Sequence, residues 1–145
     1  MIVIGLIASL TLRPFIFPSL GPTAMMQFAN PLDRLSSPRH VLLGHFTGAA
    51  AGYAALAVTG LLGEPLSPHV GITRVIAAAV ALALTAGTVI ALKVEHPPAG
   101  ATTLIVALGI LPQLEDFLFL MAAVVLLTAL AVAINRVAGI PYPLW

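Results

Sequence analysis

Two stretches rich in proline and glycine hold the residues of this sequence that could bind a solute: Pro18-Ser19-Leu20-Gly21-Pro22-Thr23 and Glu95-His96-Pro97-Pro98-Ala99-Gly100-Ala101-Thr102-Thr103. Each would break one helix and begin another, since proline lacks a donor while glycine admits turns and close backbone approach. A fresh helix start presents unpaired N–H groups and the positive end of its dipole, which suits an anion. Ser19, Thr23, Thr102 and Thr103 add hydroxyls, and His96 can donate, accept or carry a proton. The candidate substrate-binding set is therefore Ser19, Gly21, Thr23, His96, Pro97, Pro98, Gly100, Thr102 and Thr103. The plainer alternative is that these residues only cap the helices they begin.

Arg39 and His45 are placed at an entrance or on a proton relay, because ionisable residues within a membrane face a cavity or a partner. Arg13 and Lys93 precede the two broken stretches. They either draw an anion inward or anchor the chain at the interface. His40 and His69 read as loop residues. With no Cys and no carboxylate matched to the histidines, neither a metal site nor a cofactor is expected. The five carboxylates all fall outside the hydrophobic stretches. No nucleophile and base are arranged for catalysis, so the chain is not expected to be an enzyme.

The elements that position these residues follow from composition. The chain has 145 residues, 60% hydrophobic and 8% charged, with mean hydropathy +1.10. A soluble domain normally carries about 25% charged residues, so the solvent that suits this chain is a bilayer. Residues 41–63, 75–92 and 117–134 run for 23, 18 and 18 residues without a formal charge, against the roughly 20 that a spanning helix needs. Their apolar residues are continuous and not alternating, which favours helix over barrel strand. A net charge of +1 argues against nucleic acid as a partner. The start lacks a basic leader and a cleavage site, so residues 1–12 are expected in the mature protein.

Six apolar segments emerge, and the second and fifth are the broken ones. The expected fold is an all-α membrane protein of about four full transmembrane helices plus two broken or re-entrant segments, in a single domain over residues 1–145. At a constant offset of 80, Leu12 meets Leu92, Arg13 meets Lys93, Pro18 meets Pro98 and Thr23 meets Thr103. This suggests a pseudo-repeat of residues 1–63 and 72–138, inverted if each unit crosses three times. Residues 18–23 and 97–103 are expected as non-helical turns that meet inside the protein, since lipid cannot satisfy exposed backbone. If all six segments cross, one side holds Arg34, Arg39, Lys93 and Arg136 and faces the cytoplasm. If the broken segments are re-entrant, Arg13, Arg34, Arg39 and Lys93 share a side and the termini lie opposite.

Gly44, Gly48 and Gly52 form one face on which backbones can pack closely, either within the chain or against a second copy as a homo-oligomer. Ala79, Ala83, Gly87 and Ala91 repeat the spacing. Tyr142 and Trp145 suit an interfacial aromatic belt.

The Glu95-His96-Pro97-Pro98-Ala99-Gly100-Ala101-Thr102-Thr103 stretch resembles the signature of the HPP family of integral membrane proteins. The likeness extends to Ser19-Leu20-Gly21-Pro22-Thr23-Ala24 and to Ser37-Pro38-Arg39-His40 followed by Gly44-His45. Leu20 and Pro22 stand where the family often has an aromatic and a small residue. The resemblance implies about four spanning helices and, by the role ascribed to plant plastid members, transport of a small inorganic anion, with nitrite the leading candidate. The nucleotide-binding domain fused to some members is not expected to follow, since the chain ends at Trp145. A passive anion channel would suit the same residues, as would a membrane scaffold or sensor subunit that moves nothing. A polar cavity between the broken segments favours transport; a dry, packed core favours the scaffold. The expected location is the inner membrane of a bacterial cell.

Overall fold

Six α-helices and a short 3-10 turn make up the described chain, in a computed structural model that describes residues 1–11 and 15–145. Arg13 lies outside the described residues. The helices are α1 (Ile2–Thr11), α2 (Leu20–Ala29), α3 (Pro38–Val58), α4 (Ile72–Ala91), α5 (Pro98–Ala107) and α6 (Leu114–Val137), with the 3-10 turn at Arg34–Ser36. Local chemistry sets several of their ends. Pro38 and Pro98 occupy the first turns of α3 and α5, where a missing N–H does no harm. α6 opens on a capping box between Gln113 and Asp116, with Glu115 and Asp116 at its positive end and Arg136 in its last turn. Beyond α4, Lys93 takes a left-handed conformation (φ 54°) that a continuing helix excludes.

Three described helices are long and apolar enough to cross a membrane: α3, α4 and α6. The expectation of about four is therefore met by three among the described residues. α1 has ten described residues, a rise of about 15 Å against a hydrocarbon core of about 30 Å. The broken segments also differ from expectation. Residues 20–23 and 98–103 are helical, in α2 and α5, and the turns are confined to the residues just before them.

Contacts between distant residues define two ends of the bundle. At one end, Arg34 pairs with Glu95 at 3.2 Å, the Arg39 guanidinium lies 5.6 Å from the Trp145 ring centre, and the Tyr142 hydroxyl donates to the Ser36 carbonyl. At the other, Arg74 donates to the Glu64 carbonyl, the Leu66 N–H to the Gly109 carbonyl, and the Tyr53 hydroxyl to the Gln113 carbonyl. α5 thus runs from the His96 end to the Gly109 end, parallel to α3. It traverses the bundle as a short helix with non-helical flanks and does not turn back as a re-entrant loop would. Arg34, Arg39, Lys93 and Arg136 lie toward the first end, Arg74 at the second. By the positive-inside rule the first end is expected to face the cytoplasm. A thiol reagent that cannot cross membranes should therefore label Trp145→Cys only from the cytoplasmic side, and labelling from the opposite side would reverse this orientation.

The glycine face is occupied within the chain. A Cβ added at Gly44 would lie 2.7 Å from the His96 Cβ, one at Gly48 2.5 Å from the Ala99 carbonyl oxygen, and one at Gly52 2.8 Å from the Val106 Cβ. The close approach that small residues permit is thus used by α5 within the chain. The apolar core gathers beside this seam. Leu20 of α2, Val41 and Leu56 of α3, Val106 of α5 and Leu120, Val124 and Leu127 of α6 form its main cluster. A smaller alanine cluster, Ala55, Ala77, Ala78, Ala81 and Ala107, joins α3, α4 and α5.

Candidate functional site

Where α2, α3 and α5 converge, four polar side chains meet out of contact with solvent. Thr23, His45 and Thr102 are 0% exposed and His96 is 2% exposed. The Thr102 hydroxyl lies 2.6 Å from His45 Nδ1, and His45 Nε2 lies 2.8 Å from the Thr23 hydroxyl. Thr23 in turn lies 3.2 Å from His96 Nε2, while His96 Nδ1 is 2.9 Å from the Leu35 carbonyl. The two imidazole centres are 5.0 Å apart. Each polar group here has a partner, as burial in an apolar core requires.

The elements explain the convergence. Gly44 lets the α3 backbone pass the His96 side chain, which sets His45 of the next position against α5. His96 is fixed by the turn ahead of the Pro97-Pro98 helix start, and its Nδ1 reaches the loop before α3. Thr23 lies one turn inside α2, its hydroxyl 3.0 Å from the Ser19 carbonyl.

Of the residues expected in a site, Thr23, His96 and Thr102 are brought together. His45, expected at an entrance, sits at the centre of the cluster. Thr103 faces away from the histidines, toward Thr85 of α4 at 2.8 Å, and also donates to the Ala99 carbonyl. Ser19 is fully buried and its hydroxyl has no partner. Gly21 has no neighbour within 4 Å of where a Cβ would stand. Pro98 is buried as the first residue of α5. Arg39 is not joined to the cluster, being held under the Trp145 ring.

The backbone does not supply the donors expected of it. Pro97 and Pro98 have no N–H, and the Ala99 and Gly100 N–H groups turn back to the His96 and Pro97 carbonyls. At α2, Leu20 and Gly21 donate to the Phe17 and Pro18 carbonyls, and Pro22 has no N–H. Donors at this site come from side chains.

A groove of about 340 Å³ opens beside the cluster between α4 and the start of α5; its wall is mostly apolar, with Leu82, Ala86, Val89, Ile90, Pro97, Ala99 and Gly100, and Thr85, Glu95 and His96 are its polar members. His96 is the one cluster residue that borders it. Glu95, whose carboxylate would repel an anion there, is paired with Arg34. Thr85 and the Leu35 carbonyl were not anticipated from sequence. Thr85 could have been noticed as a hydroxyl deep in an alanine-rich span; a backbone carbonyl leaves no sequence signal.

A second polar group ties α2 to α6 and the C-terminal segment. Gln27 donates to Thr128, and Asn135 donates to the Gln27 carbonyl. Tyr142 is buried beside them, which pushes its phenol up to about 12 and keeps it a neutral donor to Ser36.

Comparison with known proteins agrees with this membrane architecture. The chain is 31% identical over 136 residues to a Dictyostelium discoideum protein described as a transmembrane protein, a match covering 88% of this chain and 44% of the relative. The chain thus spans less than half the length of that relative. No solved structure matches it. The family model for the HPP transmembrane region matches residues 1–143, nearly the whole sequence and all six helices, and the chain belongs to the HPP transmembrane family.

Proposed function

We propose that this protein carries a small inorganic anion, nitrite foremost, across the membrane of a bacterial cell, by way of the groove at His96. The observation that carries the reading is the buried Thr102–His45–Thr23–His96 cluster, which borders that groove through His96. An anion leaving water needs compensation inside the bilayer, and a histidine in the groove wall can supply it as charge when its ring carries a proton. Thr85, Pro97 and Gly100 line the same groove and shape it. Nitrite is named because the family resemblance points there, and a groove of about 340 Å³ is large enough to admit it.

Purified protein in liposomes should take up nitrite faster than empty liposomes do. A well-folded preparation that moves none of nitrite, nitrate, formate or chloride above the empty-vesicle rate overturns the proposal in favour of a scaffold. The scaffold has one observation behind it: every polar group of the four-residue cluster already has an internal partner.

A further inference from the structure

We propose that His96 is a proton-binding site that loads together with the anion, with the Thr23 hydroxyl turning between two acceptors to suit either state of the ring. This rests on the anion reading above and supplies its coupling ion.

The Leu35 carbonyl fixes one hydrogen-bond direction, and the others follow when every ring nitrogen is satisfied. A carbonyl only accepts, so the Leu35 oxygen 2.9 Å from His96 Nδ1 requires that nitrogen to carry hydrogen. In the neutral ring Nε2 is then an acceptor, and the hydrogen it receives is that of Thr23, 3.2 Å away. Thr23 has no second hydrogen, so its contact with His45 Nε2 at 2.8 Å is donated by the imidazole. His45 Nδ1 accepts from Thr102. Four bonds run head to tail from Thr102 to Leu35, and both rings are neutral.

The same heavy atoms also satisfy the protonated ring. A proton added at His96 Nε2 turns that nitrogen into a donor toward the Thr23 oxygen. The Thr23 hydrogen swings to the Ser19 carbonyl, 3.0 Å from its oxygen. The Thr23 oxygen then accepts from His96 and His45 through its two lone pairs, and no donor loses its acceptor. When the proton leaves Nε2, the Thr23 hydrogen swings back.

Charge confines this loading to one proton and ties it to an anion. The two rings are 5.0 Å apart, so a cation on His96 opposes a second on His45. α2 and α5 contain no ionisable residue, and the Arg74 of α4 lies at the far end of the bundle. His40 and Arg39 of α3 and the nearby Arg34 and Lys93 supply no negative charge, and the Glu95 carboxylate is held by Arg34. Asp33 caps the 3-10 turn, while Glu115 and Asp116 of α6 start that helix at the far end, away from Arg136. A buried cation without a counter-charge is unfavourable. An anion in the groove supplies the missing charge, and proton and anion then move as a neutral pair.

The measurement is the protonation of His96 by nitrogen NMR of histidine-labelled protein in lipid nanodiscs, with and without nitrite. Nitrite should raise the midpoint of His96 protonation by about one pH unit, a tenfold tightening of proton binding. Thr23→Ser should retain the shift and Thr23→Val should lose it. Where Thr23→Val does not fold, the wild-type and Thr23→Ser titrations decide alone. A His96 titration indifferent to nitrite overturns the proposal even if vesicles carry nitrite. A nitrite-dependent titration without vesicle flux upholds the proton site and overturns transport.

Discussion

Gly48→Leu is expected to yield no folded protein, because the new side chain would have to stand where α5 already is. A Cβ at this position meets the Ala99 carbonyl oxygen at 2.5 Å and the Thr103 hydroxyl at 2.9 Å. The carbonyl belongs to the backbone of α5 and cannot move without moving that helix. Overpacking by even a methylene or two destabilises by about 1–3 kcal/mol, so Gly48→Ala alone should measurably lower the unfolding temperature in detergent. Gly87→Ala is the control. Nothing lies within 4 Å of its added methyl, and alanine favours helix over glycine by about 1 kcal/mol. A Gly48→Leu protein that elutes and unfolds like wild type would mean that α3 and α5 are not in this contact.

Transport itself should be most sensitive to His96→Ala and Thr102→Val. His96 is the cluster residue that borders the groove, and Thr102 is the donor that orders His45. A hydrogen bond to a charged group contributes about 1.5–3 kcal/mol, and each 1.4 kcal/mol is roughly tenfold. Nitrite flux in liposomes should therefore fall about tenfold or more for either variant. Thr102→Val keeps the shape of the side chain, which separates lost chemistry from lost packing. Arg34→Ala bares the Glu95 carboxylate at the groove, but that ion pair is largely solvated and contributes about 1 kcal/mol or less, so its loss of flux should be the smaller. Equal losses for Arg34→Ala and His96→Ala would place the anion path outside the cluster.

The residues that gather at the site were legible where local chemistry marked them. Thr23, His96 and Thr102 stand in or beside proline-glycine breaks, and those breaks had to be enclosed in protein. His45 was legible as a buried ionisable residue but not as the hub. Its depth along α3 can be counted, whereas its neighbour depends on α3 and α5 running parallel. The glycine spacing foretold a tight contact without naming the partner, because small residues suit any close helix. The expected backbone donors failed for a reason written in the sequence itself. Pro97, Pro98 and Pro22 remove N–H groups from the places where an anion would need them, and the remaining first-turn donors close the preceding turn. The broken stretches proved mostly helical because proline is tolerated in a helix's first turn.

The seam between α3 and α5 also has a mechanical meaning. Three successive glycine positions leave backbone against side chain or backbone with no slack, and tight contacts of this kind resist sliding. α3 and α5 therefore behave as a single stiff beam, with His45, Thr102 and His96 all bolted to it. Thr23, by contrast, reaches that beam from α2, and Thr85 from α4. Spin labels placed on α3 and α5 should keep a fixed separation as anion and pH change, and any displacement is expected in α2 and α4, which pack against the beam.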